Sequence, residues 1–112
     1  MKEIEEKDFE DVLKKSKQKT ILIDFYADWC MPCRILKPII ESIEKEFEDK
    51  NIEFLKINID KNRNLALAFN ILSIPTIILL RNGKEISRIV GALPKEEIIY
   101  WINKNLKASG GI

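Results

Sequence analysis

Apolar positions along this chain change period several times, and each change marks an element. Ile21-Leu22-Ile23-Asp24-Phe25-Tyr26 is a short, β-branched and aromatic run broken by one carboxylate, the pattern of a strand covered on both faces. Ile35, Leu36, Ile39, Ile40, Ile43 and Phe47 then recur at helical spacing, with Lys37, Glu41, Glu44, Lys45 and Glu48 on the other side. That predicts an amphipathic helix, kinked by Pro38 inside its apolar period. From Ile52 to Ile59 the period falls to two: Leu55, Ile57 and Ile59 face one way, Phe54, Lys56 and Asn58 the other. A second strand follows. A third apolar run, Ile74 to Leu80, leads through Asn82-Gly83 into Glu85 to Val90, and Asn-Gly between apolar segments predicts a hairpin.

Shorter elements fill the remainder. Lys2 to Glu5 reads as an edge strand, and Asp8 as the cap of a helix turning Phe9, Val12 and Leu13 inward. Asp60 or Asn62 can cap a short helix carrying Leu65, Leu67, Ala68 and Phe69. Gly91 ends the hairpin, and Pro94 starts a last helix whose Ile98, Ile99, Trp101, Ile102 and Leu106 point largely inward. The expected order is β-α-β-α-β-α-β-β-α, parallel crossovers first and an antiparallel hairpin last. One α/β domain over residues 1–107, with a loose tail from Ala108 to Ile112, accounts for the chain.

Composition narrows the function. With 112 residues the chain can build a single core. A formal net charge of +1, spread over interleaved Lys and Glu, offers no field for nucleic acid. No apolar segment approaches the roughly 20 residues that span a bilayer, and Met1 to Glu6 lacks the form of a signal peptide. The expectation is a cytoplasmic monomer that binds neither nucleic acid nor membrane. Abundant Ile, Lys and Glu with scarce Gln and His fit a hyperthermophile or an AT-rich genome equally.

Both cysteines lie in Trp29-Cys30-Met31-Pro32-Cys33, between the buried strand and the amphipathic helix. At this spacing on a helix Cβ atoms are about 5 to 6 Å apart, within reach of a reversible disulfide. A thiol at a helix N-terminus feels the positive end of the macrodipole, which favours thiolate. Pro32 suits the first turn, where its missing N–H removes nothing. Cys30, nearer the exposed tip, is the expected nucleophile, and Cys33 the resolving thiol. The competing readings are two ordinary cysteines or half of a zinc site. Zinc needs about four ligands, and the chain has no histidine and no third cysteine.

Asp24 is the next informative residue, because a carboxylate is almost never buried without a partner or a task. Desolvation raises its pKa and would suit it to take the Cys33 proton. The alternatives are a frayed strand end or a structural pair with Lys56 on the neighbouring strand. Pro75 reads as punctuation at a strand start, with a cis bond after Ile74 as the alternative. Trp29 is either core or the wall of a substrate groove; Trp101 is core.

With these residues placed, the chain resembles the thioredoxin family over nearly its whole length. The likeness rests on Ile21 to Cys30, Lys56-Ile57-Asn58-Ile59-Asp60, Ser73-Ile74-Pro75-Thr76, Asn82-Gly83 and Val90-Gly91-Ala92-Leu93, in that order. The resemblance implies the thioredoxin fold, a mixed five-stranded sheet between helices in three layers. It implies Cys30 as nucleophile, Cys33 as resolving thiol, Asp24 as buried proton acceptor, Lys56 tuning Asp24, and a cis bond before Pro75. The implied docking surface comprises Trp29, Met31, Pro32, Ile59, Ser73, Ile74, Pro75, Val90, Gly91 and Ala92. The implied activity is protein-disulfide reduction without a bound cofactor, recharged by a flavoprotein thioredoxin reductase and serving disulfide-containing clients. The readings kept beside it are a more oxidising disulfide oxidase or isomerase and a non-catalytic binding module. Met31 departs from the family's usual glycine, so the family's potential of about −270 mV does not carry over to this motif.

Overall fold

The apolar run broken by Asp24 is β2 (Thr20–Tyr26), the middle strand of a five-stranded sheet. The computed structural model describes residues 1–109. Across the sheet the order is β1 (Lys2–Glu3), β3 (Ile52–Asn58), β2, β4 (Thr76–Arg81) and β5 (Lys84–Val90). The first three are mutually parallel, β4 runs against β2, and β5 against β4. This is the mixed sheet with four helices expected from the sequence.

Strand alternation divides the core in two. Leu22, Phe54, Ile77 and Leu79 pack with Leu36, Ile40 and Ile43 of α2 (Met31–Glu46) and Ile98 and Ile102 of α4 (Lys95–Ser109). On the opposite face Ile21, Ile23, Phe25, Leu55, Ile57, Ile78 and Leu80 meet Val12 of α1 (Phe9–Lys15) and Leu65 of α3 (Arg63–Ala68). Each such side chain contributes about 1.5–3 kcal/mol by leaving water. A central strand apolar on both faces requires helices on both, which gives the three layers. Among the described residues no helix is long and apolar enough to cross a membrane.

Several boundaries differ from the sequence reading, each for a local reason. β1 is two residues long; Ile4 leaves the strand but still donates its N–H to the Lys56 carbonyl at 3.0 Å. Asp8 stands at the N-cap of α1 as expected but does not bond the helix through its side chain: its Oδ2 accepts the Glu5 N–H at 2.9 Å, closing a capping box around a 3-10 turn, Glu6–Asp8. Neither Asp60 nor Asn62 caps α3 with its side chain; instead Glu6 Oε2 accepts the Asn64 N–H at 3.0 Å from across the chain. Ile35 and Leu67 point outward, so the apolar stripes of α2 and α3 are narrower than the sequence suggests. β4 starts at Thr76, after Pro75, which has no N–H for the ladder. Pro94 precedes α4, its carbonyl accepting the Glu97 and Ile98 N–H groups. Asn82 (φ 54°) and Gly83 (φ 74°) form the expected hairpin turn, both in the left-handed region that a two-residue loop requires. The tail expected from Ala108 begins inside α4 and otherwise lies outside the described residues.

Candidate active site

Cys30 is the N-cap of α2, in an extended conformation (φ −89°, ψ 111°), and Pro32 occupies the first turn. Cys30 and Cys33 form a disulfide with Cα atoms 5.3 Å apart. The Cys33 backbone N–H donates to the Cys30 sulfur at 3.2 Å, one of the free N–H groups that every helix start leaves over. Exposure does not separate the two cysteines as the sequence reading expected, since they are 4% and 5% exposed. Their surroundings do. The Cys30 sulfur lies 3.9 Å from the Ile74 carbonyl oxygen, on the side of the exposed loops. Cys33 instead lines a cavity of about 400 Å³ shared with Asp24, Tyr26, Lys37 and Lys56.

Asp24 is 4% exposed, and its Oδ1 has no hydrogen-bond partner among the described residues. Burial pushes its carboxyl up from 3.8 to about 7, opposed by the charge of Lys56. Lys56 is its register partner on β3. The Lys56 ammonium lies 5.6 Å from the centre of the Tyr26 ring, a cation–π distance. The Tyr26 hydroxyl donates to Glu3 Oε2 at 2.6 Å. Burial and the Glu3 carboxylate together raise the Tyr26 hydroxyl above its ordinary range.

The peptide bond between Ile74 and Pro75 is cis, and Pro75 also stands directly before the start of β4. The Pro75 carbonyl accepts the Gly91 N–H at 2.8 Å, and Thr76 Oγ1 donates to the Ser73 carbonyl at 2.6 Å. Gly91 holds φ 98°, where a side chain would be strained. Ile59 and Ile74, half-buried, pack against the cluster formed by Ala27, Cys30 and Cys33. Trp29 is 68% exposed, its Nε1 donating to Asp60 Oδ2 at 2.8 Å. Met31, Pro32, Ser73, Val90 and Ala92 are exposed as well. Trp101 is half-buried, its Nε1 donating to Ser87 Oγ at 2.8 Å.

Three residues of the site escaped the sequence reading. In the sequence Asp60 reads as a helix cap and as the end of the family-like segment Lys56 to Asp60, with no role at the site. Tyr26 lies on the Asp24 face of β2 by simple alternation, a signal the sequence did carry. Glu3 had none, because a two-residue strand has no period.

A disulfide closed within the first turn of a helix, with a buried carboxylate beneath it, defines a dithiol–disulfide redox protein. Comparison with known proteins agrees. The family model described as Thioredoxin matches residues 1–104. The thioredoxin of Rickettsia bellii is 44% identical over 103 residues, covering 92% of this chain and 96% of that one. The thioredoxin of Buchnera aphidicola is 46% identical over 99 residues, 88% of this chain and 89% of that one. The X-ray structure of Fasciola hepatica thioredoxin superposes with a TM-score of 0.84 at 30% identity, covering 93% of this chain and 98% of that one. The chain belongs to the thioredoxin family. Its Cys30–Cys33 pair is the redox-active disulfide, and its activity is thiol–disulfide oxidoreduction.

Proposed function

We propose that this protein reduces protein disulfides, with Cys30 attacking and Cys33 resolving. The observation that carries the assignment is the Cys33 N–H aimed at the Cys30 sulfur from the helix start. It stabilises a thiolate at Cys30 and has no counterpart at Cys33 among the described residues. In the reaction the Cys30 thiolate attacks one client sulfur, forms a mixed disulfide and expels a client thiolate. Asp24 takes the Cys33 proton; the Cys33 thiolate then attacks the Cys30 sulfur and expels the second client thiolate. Protons pass to the leaving thiolates, the client gains two electrons, and the Cys30–Cys33 pair loses two.

Lys56 keeps the Asp24 carboxyl from rising further, so that near neutral pH it can both accept and return a proton. Trp29, Met31, Pro32, Ile59, Ser73, Ile74, Pro75, Val90, Gly91 and Ala92 form the docking surface for an extended client segment, which takes backbone hydrogen bonds as an added strand. A flavoprotein thioredoxin reductase regenerates the dithiol, and the protein works as a cytoplasmic monomer on disulfide-containing clients. A reducing compartment suits a chain whose two cysteines form one catalytic pair.

Met31, exposed between the cysteines, favours one second reading, a more oxidising oxidase or isomerase. The equilibrium potential of the Cys30–Cys33 couple against a glutathione or dithiol buffer separates the two. A reducing value, with turnover of a protein disulfide driven by a dithiol, supports the reductase; a value near that of oxidising disulfide isomerases, about −180 mV, overturns it.

A further inference from the structure

Tyr26, the half-buried phenol beside the Asp24 cavity, is not one of the residues assigned a role above. Alternation along β2 puts Tyr26 on the same face as Asp24, and the registers Asp24↔Lys56 and Glu3↔Lys56 bring β1, β3 and β2 side by side there. The phenol links all three strands: its hydroxyl donates to Glu3 at 2.6 Å and its ring lies 5.6 Å from the Lys56 ammonium. Glu3, Tyr26, Asp24, Lys56 and Cys33 line one cavity. We propose that Tyr26, anchored by Glu3, is a positioning residue that holds the Lys56 ammonium where its charge acts on Asp24.

The physical case is that a lysine has a long, flexible stem and a strongly hydrated head. Left free, Lys56 on a half-exposed strand position would extend toward water, away from a carboxyl that sits within the sheet. An aromatic face beside the cavity gives the ammonium a reason to stay. The hydrogen bond to Glu3 fixes the phenol, and Glu3 itself adds negative charge on the same side. Other charged groups face the cavity too: Asp28 after β2, and Arg34 and Lys37 on α2. Arg34 Nε is engaged with the Asp28 carbonyl at 3.0 Å, and the Met1 amino group with Glu44 at 2.9 Å. The charge that bears on Asp24 is that of Lys56.

This inference rests on the proton-accepting reading of Asp24, and its test is therefore read on the carboxyl itself rather than on turnover. In the reduced protein the Asp24 carboxyl is titrated by carbon NMR in the wild type, Tyr26→Leu, Lys56→Met and the double variant. Releasing Lys56 raises the proton affinity of Asp24, so Tyr26→Leu should shift the midpoint upward by roughly two- to fivefold in affinity. Lys56→Met should shift it at least as far, with no further rise on adding Tyr26→Leu. A fall in the midpoint of Tyr26→Leu would mean that the ring only excludes water from Asp24, and would overturn the proposal. So would an equal shift with and without Lys56. Tyr26→Phe keeps the ring, removes only the hydroxyl that bonds Glu3, and should give a smaller rise in the same direction; no movement in it removes Glu3 from the arrangement. A separate failure, in which Asp24→Asn leaves resolution of the mixed disulfide unchanged, would count against the role of Asp24 and not against the placement of Lys56.

Discussion

Asp24 and Lys56 are register partners across the parallel pair β2 and β3, and the lysine only partly offsets what burial does to the carboxyl. A middle strand with helices on both faces leaves its one acidic side chain little water. The carboxyl is therefore a stability cost that the fold retains at its redox centre.

Below about pH 3.8 the folded and unfolded states both hold the proton, and Asp24 contributes nothing. Between 3.8 and about 7 the folded state keeps a proton the unfolded state has lost, so stability falls as pH rises. Above about 7 both are ionised and the full penalty, about 4 kcal/mol, is present. Asp24→Asn should thus be more stable than the wild type by about 2–4 kcal/mol at pH 8, allowing for its own buried amide. Denaturant unfolding at pH 4 and pH 8 checks this, with little difference expected at the lower pH.

Kinetics should follow the same group in the opposite sense. The carboxylate is the form that accepts the Cys33 proton, so the rate of mixed-disulfide resolution should rise through about pH 7 and then level. In Asp24→Asn that inflection disappears and the rate at pH 8 falls at least about tenfold. Rapid-mixing measurements of client release across pH 5.5 to 9 decide it.

Much of this is legible in the sequence. The period changes around Ile21, Leu36 and Leu55 mark the central strand, the motif helix and the neighbouring strand, because burial on one or both faces leaves a regular trace. The same trace cannot show how far a helix is covered: Leu67 fits the apolar spacing of α3 yet is 77% exposed, and Leu65 is the one residue of that six-residue helix that is buried. Contacts between distant segments were invisible for a related reason. The bonds Glu3–Tyr26, Trp29–Asp60 and Glu6–Asn64 depend on strand order and loop path, neither of which has a period. The cis bond at Pro75 came from the family resemblance, not from the local residues.

That contrast gives a stability prediction. Ile102 is fully buried between α4 and the sheet, so Ile102→Ala should destabilise by about 2–5 kcal/mol, through lost transfer energy and the cavity left behind. Leu67→Ala, at a position the sequence pattern treats alike, should change stability by less than about 0.5 kcal/mol. Thermal or denaturant midpoints of the two variants make the comparison.

Met31 is exposed at the first position of α2, beside Trp29. Its thioether therefore adds apolar contact area for a client and little to the core. If a client covers about half of it, Met31→Ala should cost about 1 kcal/mol of docking, or roughly a fivefold rise in KM for a protein disulfide. A small soluble disulfide, which reaches the Cys30 sulfur without covering that surface, should be reduced with unchanged kcat/KM. Equal losses on both substrates would place the role of Met31 in the thiol chemistry instead.

The division of labour between the cysteines has the sharpest test. The group that activates Cys30 is the backbone N–H of position 33, at 3.2 Å from its sulfur, and a substitution of the Cys33 side chain leaves that N–H in place. Cys33→Ser should therefore keep a reactive Cys30. Having lost the resolving sulfur, it should accumulate a one-to-one mixed disulfide with a client peptide that added dithiol releases. Cys30→Ser leaves only Cys33, beside a carboxylate that disfavours a second negative charge and, among the described residues, without an N–H aimed at its sulfur, and it should trap no client. Non-reducing electrophoresis and mass spectrometry of the two variants read the outcome directly; capture by Cys30→Ser and not by Cys33→Ser would reverse the assigned roles.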